Sequence, residues 1–203
     1  MNVRTIRIGL WLLVGLAAIG GLMIALRPPQ ALPQGTQTPM TEIGGPFTLT
    51  GTDGKPFASA SLTGKPFVIF FGFTHCPDVC PNTLARLARL RKVIGRGDGS
   101  FAILFVSVDP ARDTPAEMAR YATAFNSPII ALTGSEQDIA KVKHSYGIYS
   151  AKVSQAGPDY TVDHTATIFL MDSRGKFVAT ITPDEGDPAA LAKLRNLTSQ
   201  TAQ

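Results

Sequence analysis

Cysteine is scarce in this sequence: its 203 residues include only two, Cys76 and Cys80, within the stretch "THCPDVCP". A structural disulfide is a weak explanation for them, because a bridge that encloses so few residues removes little entropy from the unfolded chain. A domain of about 160 residues can also bury a sufficient core without a crosslink. The pair is therefore better explained as a redox couple or as two ligands of a metal ion.

An excess of charge of one sign is also missing from most of the chain. The formal net charge is +4, but Arg4, Arg7 and Arg27 supply three of the positive charges and flank an apolar run. Beyond Arg27 there are 16 Lys and Arg against 15 Asp and Glu. A nearly neutral domain lacks the basic surface of a nucleic-acid-binding protein, so that class is excluded.

Tryptophan occurs only once, as Trp11 inside the apolar run. The chain therefore lacks the tryptophan that precedes the C-x-x-C motif of thioredoxins, and its own cysteines are spaced C-x-x-x-C. A peroxiredoxin-type peroxidase would have proline and threonine where this chain has Ile69 and Phe73, which disfavours that class. A thiol–disulfide oxidoreductase that keeps the cysteines of a target reduced stays open as an alternative function.

The apolar run itself, "IGLWLLVGLAAIGGLMIAL" at residues 8–26, has no charged residue. It is long enough to span the roughly 30 Å hydrocarbon core of a bilayer. It is also longer than the apolar core of a signal peptide, and it ends in "RPPQ" without a small-x-small cleavage site. We therefore predict that residues 1–27 form an uncleaved membrane anchor.

The flanks of this run predict its orientation. Arg4 and Arg7 precede it and Arg27 alone follows closely, so the positive-inside bias leaves the N-terminus cytoplasmic and exports the rest. The segment before the run is too short for an organelle transit peptide. We expect a single-pass protein of the bacterial inner membrane, with its C-terminal domain in the periplasm, where a cysteine pair can be oxidised.

The remainder of the chain divides into a linker and one domain. Residues 28–42, "PPQALPQGTQTPMTE", contain four prolines and are predicted to form an extended linker. Residues 43–203 are predicted to form the domain. The hairpin pattern "FTLTGTDGKPFAS" comes first, followed by buried strands "KPFVIFFGF", "FAILFVSV" and "PIIAL" that alternate with amphipathic helices. Capping boxes at Thr114/Glu117 and Ser135/Asp138 start two of these helices. A second hairpin, "TIFLMDSRGKFVATIT", and a helix from Asp187 complete an α/β order, which predicts a thioredoxin-like fold with an N-terminal hairpin extension.

The cysteines follow the first buried strand and enter its helix, an edge of the sheet where ligand and redox sites collect. Pro81 suits the first turn of a helix, which puts Cys80 at or near the N-cap. The positive end of the helix dipole is expected to lower the pKa of the Cys80 thiol.

The three histidines discriminate between a redox couple and a metal site. His144 is expected on the solvated face of its helix, and His75 is expected to point away from its neighbour Cys76. His164 ends the predicted loop "GPDYTVDH", which in a thioredoxin-like fold approaches the cysteines. Cys76, Cys80 and His164 would then form a set of two thiolates and one imidazole, which favours copper or zinc over magnesium or calcium.

Three motifs, "FFGFTHCPDVCP", "LFVSVDPARDTP" and "VDHTATIFL", resemble those of the Sco/SenC family of membrane-anchored copper proteins. The resemblance covers residues 43–197 and the anchor. It implies a thioredoxin-like fold and binding of copper, as Cu(I) or Cu(II), by Cys76, Cys80 and His164. It also implies delivery of that copper to the copper A centre of cytochrome c oxidase subunit II during assembly. Such an assembly protein is not a turnover enzyme, and it would take its copper from an upstream periplasmic donor.

Other residues of these motifs receive more modest predictions. Asp78 and Asp163 are candidates to tune the site by hydrogen bonds or charge. Asp109 and Asp113 are explained by roles in a turn and at a helix start. The basic run in the first helix is expected to be a solvated face; its members are Arg86, Arg89, Arg91, Lys92 and Arg96.

Overall fold

The computed structural model describes residues 42–95, 99–154 and 159–199, together with Arg4, Arg7, Trp11 and Leu16. The chain divides into two units, Met1–Met40 and Thr41–Gln203, and the second unit is the α/β domain. The predicted anchor at 1–27 and linker at 28–42 lie almost entirely outside the described residues. Within the residues that are described, no helix has both the length and the apolar character needed to cross a membrane.

A sheet of seven strands forms the centre of the domain. Its strands are β1 (Thr48–Gly51), β2 (Pro56–Ala58), β3 (Phe67–Gly72), β4 (Ala102–Ser107), β5 (Ile130–Thr133), β8 (Ile168–Met171) and β9 (Phe177–Ile181). Their order across the sheet is β2-β1-β5-β4-β3-β8-β9. The strands β3, β4 and β5 run parallel, whereas the two hairpins at the edges pair antiparallel to them. Every residue of β3 and β4 is buried, as expected from their continuous apolar sequences.

In the described part of the domain, four α-helices connect and follow these strands, and two of them start at the predicted capping boxes. The Thr114 hydroxyl accepts the backbone N–H of Glu117, and the Ser135 hydroxyl accepts that of Asp138. These bonds satisfy N–H groups that a helix start otherwise leaves without partners. The helices are α1 (Val79–Ile94), α2 (Pro115–Thr123), α3 (Glu136–Ser145) and α4 (Asp187–Ser199). The predicted α/β order and both predicted hairpins are therefore confirmed.

A further hairpin was not predicted: β6 (Ser150–Ser154) pairs antiparallel with β7 (Tyr160–His164) as a separate two-stranded sheet. The prediction that "GPDYTVDH" is a loop is wrong, because its last five residues are β7. The two strands gave no clear signal because Val162 is their only buried residue. His164 consequently lies at the end of a strand, opposite Ser150.

The basic run of α1 is not the uniformly solvated face that we predicted. Arg91 is buried, and its guanidinium donates to the carbonyl oxygens of Phe101 at 3.3 Å and Pro128 at 2.8 Å. Arg86 and Arg89 pair with Asp187 at the start of α4, at 2.7 and 2.8 Å. Much of the run therefore fastens α1 to the domain. Lys92 is exposed, and Arg96 lies outside the described residues.

Candidate metal centre

The two cysteines lie where β3 passes into α1. Cys76 is in the connecting loop, where its backbone N–H donates to the carbonyl oxygen of Phe73 at 3.3 Å. Asp78 is the N-cap of α1, so Cys80 is the second residue of the helix rather than its cap. Cys80 is completely buried and Cys76 is half-buried. The site therefore has one inner and one outer thiol.

The structure brings together the three residues predicted as metal ligands. One donor atom from each of Cys76, Cys80 and His164 lies within 4.8 Å of the others. The Sγ of Cys80 is 3.6 Å from Nε2 of His164, and the backbone N–H of Cys80 donates to Sγ of Cys76, with 3.4 Å between the nitrogen and the sulfur. His75 and His144 are both exposed and are not part of this group. Two sulfur atoms and one nitrogen thus converge on one point, a donor set that suits copper or zinc.

The ring of His164 is oriented for this role. Its Nδ1 lies 3.0 Å from the carbonyl oxygen of Thr165, which can only accept, so Nδ1 carries the proton. Nε2 then presents its lone pair toward the thiols. Phe70 and Phe73 contact the ring edge-on, with centroids at 6.1 and 5.9 Å. A ligand histidine is normally held by a hydrogen bond from its other nitrogen, as it is here.

The two thiols differ in acidity, and in the opposite sense to our prediction. The hydrogen bond from the Cys80 thiol lowers the pKa of Cys76, and backbone N–H groups add to this effect, against the opposing effect of burial. The same hydrogen bond, together with burial, raises the pKa of Cys80. At Cys80, burial and the neighbouring thiolate outweigh the predicted effect of the helix dipole, so the pKa of this thiol is raised. Both cysteines are free thiols, and the reversible disulfide between them stays a prediction.

Gly72 is a site residue that the sequence analysis missed. A Cβ atom built on it would lie 2.7 Å from Sγ of Cys80 and 2.8 Å from Cε2 of Phe105. Both distances are shorter than van der Waals contact, so the buried thiol occupies space that only glycine leaves open. An isolated glycine at the end of a buried apolar strand was the available signal, since such glycines often mark a close approach.

A buried carboxylate, Asp113, lies behind the loop that carries the cysteines. Its two oxygens accept from the Thr74 hydroxyl at 2.7 Å and the Ser107 hydroxyl at 2.6 Å. Burial raises its pKa, and these hydrogen bonds oppose that effect. The predicted helix-start role was incomplete, because Thr114 caps α2 while Asp113 holds the backbone and side chain of Thr74.

A second buried carboxylate, Asp109, faces the hairpin that carries His164. It accepts from the hydroxyl of Tyr160 at 2.9 Å and from Nε of Arg112 at 2.5 Å. The guanidinium of Arg112 also lies 3.7 Å from the centroid of the Tyr160 ring. The turn role predicted for Asp109 therefore omits its contact with a distant strand.

The two acidic residues proposed to tune the site lie at its margin. The carboxylate of Asp78 accepts from the side chain of Asn82, 2.5 Å away, while a hydrogen bond from its backbone helps to lower the pKa of Cys76. Asp163 is exposed, and it alternates along β7 with Val162 and His164, so its side chain points to the opposite face. Their influence on a bound metal stays a prediction.

Comparison with known proteins agrees with this geometry. The family model described as SCO1/SenC matches residues 35–199. A SCO2-like protein of Rickettsia conorii is 33% identical over 201 residues, which cover 96% of this chain and 97% of the relative. The chain spans about half the length of three mitochondrial relatives that it also matches, at 45%, 52% and 49%.

Two solved structures of relatives share the fold and were determined with copper bound. Arabidopsis thaliana ScoI is 36% identical, with a TM-score of 0.73 and coverage of 78% of this chain and 99% of that one. Bradyrhizobium japonicum ScoI is 45% identical, with a TM-score of 0.69 and coverage of 76% and 99%. The sequence motifs, the fold and the family match agree: the chain belongs to the SCO1/SenC family.

Proposed function

We propose that this protein binds one copper ion through Cys76, Cys80 and His164 and delivers it to the copper A centre of cytochrome c oxidase subunit II during assembly. The observation that carries the proposal is the convergence of these three donor atoms within 4.8 Å. The two relatives with copper bound support copper over zinc as the cargo. Subunit II as the receiving partner rests on the family resemblance of the three motifs.

The donor set explains how copper can be both held and released. Two thiolates bind Cu(I) tightly, and the imidazole suits Cu(II). Three protein ligands leave room for one incoming ligand, so copper can pass to a target by ligand exchange without becoming a free ion. Cys76 is the more exposed ligand and is the natural first thiolate to be exchanged. The protein transfers its cargo and does not turn over a substrate, and an upstream periplasmic donor would reload it.

We expect the protein without residues 1–27 to be soluble and to bind one copper ion per chain when its thiols are reduced. The near-neutral composition after Arg27 supports solubility, and the one convergent donor set found among the described residues supports the stoichiometry. Copper content after gel filtration under reducing conditions measures both. A double Cys76→Ser, Cys80→Ser variant is the control. Equal copper content in the two proteins would contradict the metal assignment.

A thiol–disulfide oxidoreductase that keeps the target cysteines reduced is the second candidate. The asymmetry of the thiols favours it, because Cys76 has a lowered pKa and is partly exposed while Cys80 is buried with a raised pKa. An outer thiolate that attacks and an inner thiol that resolves is the arrangement that such exchange requires. Both roles can serve one target, since copper cannot enter a centre whose own thiols are oxidised.

We further propose that residues 1–27 remain attached as a single-pass anchor in the bacterial inner membrane, with the domain in the periplasm. The uncharged run at residues 8–26 and its flanking arginines support this topology. The mature protein is expected to sediment with washed membranes and to keep the N-terminal sequence from Met1 or Asn2. An N-terminus close to Arg27, or release from the membrane by a salt wash, would show that the run is a cleaved signal.

A further inference from the structure

The hairpin that carries His164 is held to the domain by few contacts. Among the described residues, β6 and β7 pair only with each other and do not join the seven-stranded sheet. Val162 is the only residue of the two strands that is buried. A cleft of about 200 Å³ also lies beside the hairpin, lined among others by Pro110, Ile139 and Lys152. The position of the His164 imidazole must therefore depend on the contacts that remain.

Lys143 of α3 donates to the hydroxyl of Ser150 in β6, and several further side-chain contacts come from the loop between β4 and α2. The hydroxyl of Tyr160 donates to the buried carboxylate of Asp109 at 2.9 Å. Arg112 donates through Nε to the same carboxylate at 2.5 Å and through Nη1 to the carbonyl oxygen of Tyr160 at 3.0 Å. Its guanidinium also covers the Tyr160 ring at 3.7 Å. We name Asp109, Arg112 and Tyr160 the hairpin latch.

The same short loop also holds the segment that carries the cysteines. Asp113 accepts from the Thr74 hydroxyl at 2.7 Å and from the Thr74 backbone N–H at 3.2 Å. The loop is internally fixed, because the carbonyl oxygen of Asp109 accepts the N–H groups of Arg112 and Asp113 at 3.1 and 3.0 Å. The buried carboxylates of Asp109 and Asp113 thus lie on one hydrogen-bonded turn. Asp109 contacts the hairpin that carries His164, and Asp113 contacts the loop that carries the cysteines.

From this arrangement we infer that the loop at residues 108–114 is the positioning element of the metal centre. Asp109 and Arg112, through Tyr160, set the place of the His164 imidazole, and Asp113, through Thr74, sets the place of the cysteine loop. None of these residues belongs to the group of three proposed ligands. The inference rests on the proposed copper function, and it assigns separate effects to the two halves of the loop.

The hairpin latch is tested by Tyr160→Phe in the full chain, purified with reduced thiols. This change removes only the hydroxyl and keeps the ring beneath Arg112. Changes in groups that hold a metal ligand cost roughly 10–100-fold in metal affinity, and we expect about 10-fold for Cu(II). Cu(I) affinity, measured by competition with a Cu(I)-specific chelator, should change by less than about twofold, because thiolates hold Cu(I) without the imidazole. Tyr149→Phe, the same change on an exposed tyrosine just before β6, is the matched control.

A purely structural role for Tyr160 predicts a different pattern. In a His164→Ala background, Tyr160→Phe should have no further effect on Cu(II) affinity, because the ligand on which it acts is absent. Equal losses of Cu(I) and Cu(II) affinity, or an undiminished loss in the His164→Ala background, would overturn the inference.

Hydrogen exchange in the metal-free protein keeps this test independent of the copper function. Backbone amides of β6 and β7 should exchange faster in Tyr160→Phe than in the unmodified chain and in Tyr149→Phe. If the unmodified chain bound no copper, the proposed function would fail, and the exchange rates would still decide on the latch. Unchanged exchange in the hairpin would overturn it.

The role of Asp113 is tested by Thr74→Val, which removes the hydroxyl that donates a hydrogen bond to the Asp113 carboxylate. Because both cysteines bind copper in either oxidation state, this variant should weaken Cu(I) and Cu(II) binding by a similar factor, again about 10-fold. Ser61→Ala, which removes an exposed hydroxyl bound only to a local carbonyl, is the control. A Thr74→Val protein with unchanged affinity for both ions would remove Asp113 from the positioning element.

Discussion

His164→Ala should lose tight Cu(II) binding and keep only the weaker affinity of the two thiolates, while the reversible disulfide between Cys76 and Cys80 stays intact. A dithiol couple needs only its two sulfur atoms, whereas the copper site also needs the nitrogen that lies 3.6 Å from the Cys80 sulfur. Loss of a direct ligand should cost at least the roughly 10–100-fold seen when a supporting group is removed. Cu(II) titration and the redox midpoint of the dithiol, measured on the same preparation, separate these effects.

The chain supplies a matched control for this substitution. His144→Ala changes an exposed histidine on α3 and should leave both measurements unaltered. In cells, His164→Ala should impair oxidase assembly about as severely as Cys76→Ser. Normal assembly with His164→Ala, together with failure of either cysteine variant, would mean that thiol chemistry is the essential activity and copper binding is secondary.

Gly72→Ala is expected to damage both the stability and the metal site of the protein. Its new methyl group would lie 2.7 Å from the Cys80 sulfur and 2.8 Å from the Phe105 ring, so one or both must move. Overpacking of this kind costs about 1–3 kcal/mol in the free energy of unfolding. Displacement of the Cys80 sulfur should also lower the affinity for Cu(I) and Cu(II) alike, since this thiolate binds both.

Denaturant unfolding of the metal-free protein and copper titration check this expectation. Gly99→Ala is the control, because no atom lies within 4 Å of its added methyl and its backbone is not left-handed. Wild-type stability and wild-type affinity in Gly72→Ala would show that Cys80 has room to shift, and the close approach would then have no functional meaning.

The parts of the fold that sequence could predict are those with strong local patterns. The continuous apolar runs of β3 and β4 and the capping boxes at Thr114 and Ser135 each determine their element through neighbouring residues. The hairpin of β6 and β7 could not be found in this way, because only Val162 of its ten residues is buried and no periodicity results. Burial of Arg91 was equally hidden, since its partners are carbonyl oxygens of residues 101 and 128, far along the chain.

At the site, the grouping of the three proposed ligands was predictable but their environment was not. The spacing of Cys76 and Cys80 and the place of His164 before a strand were enough to group the three residues. The difference in pKa between Cys76 and Cys80 depends on their burial and on the hydrogen bond between the two thiols. Neither feature can be predicted from the neighbouring residues in the sequence. The contacts of Asp109 and Asp113 with Tyr160 and Thr74 likewise exist only after folding.

In the proposed copper site, two sulfur atoms and one nitrogen of this chain hold one copper ion. X-ray absorption at the copper edge, on copper-loaded samples of the unmodified protein and of His164→Ala, identifies these ligand atoms. We predict two sulfur ligands and one imidazole nitrogen for Cu(II) in the unmodified protein, with the nitrogen lost in His164→Ala. Identical ligand shells in the two proteins, or a shell without sulfur, would contradict the proposed site.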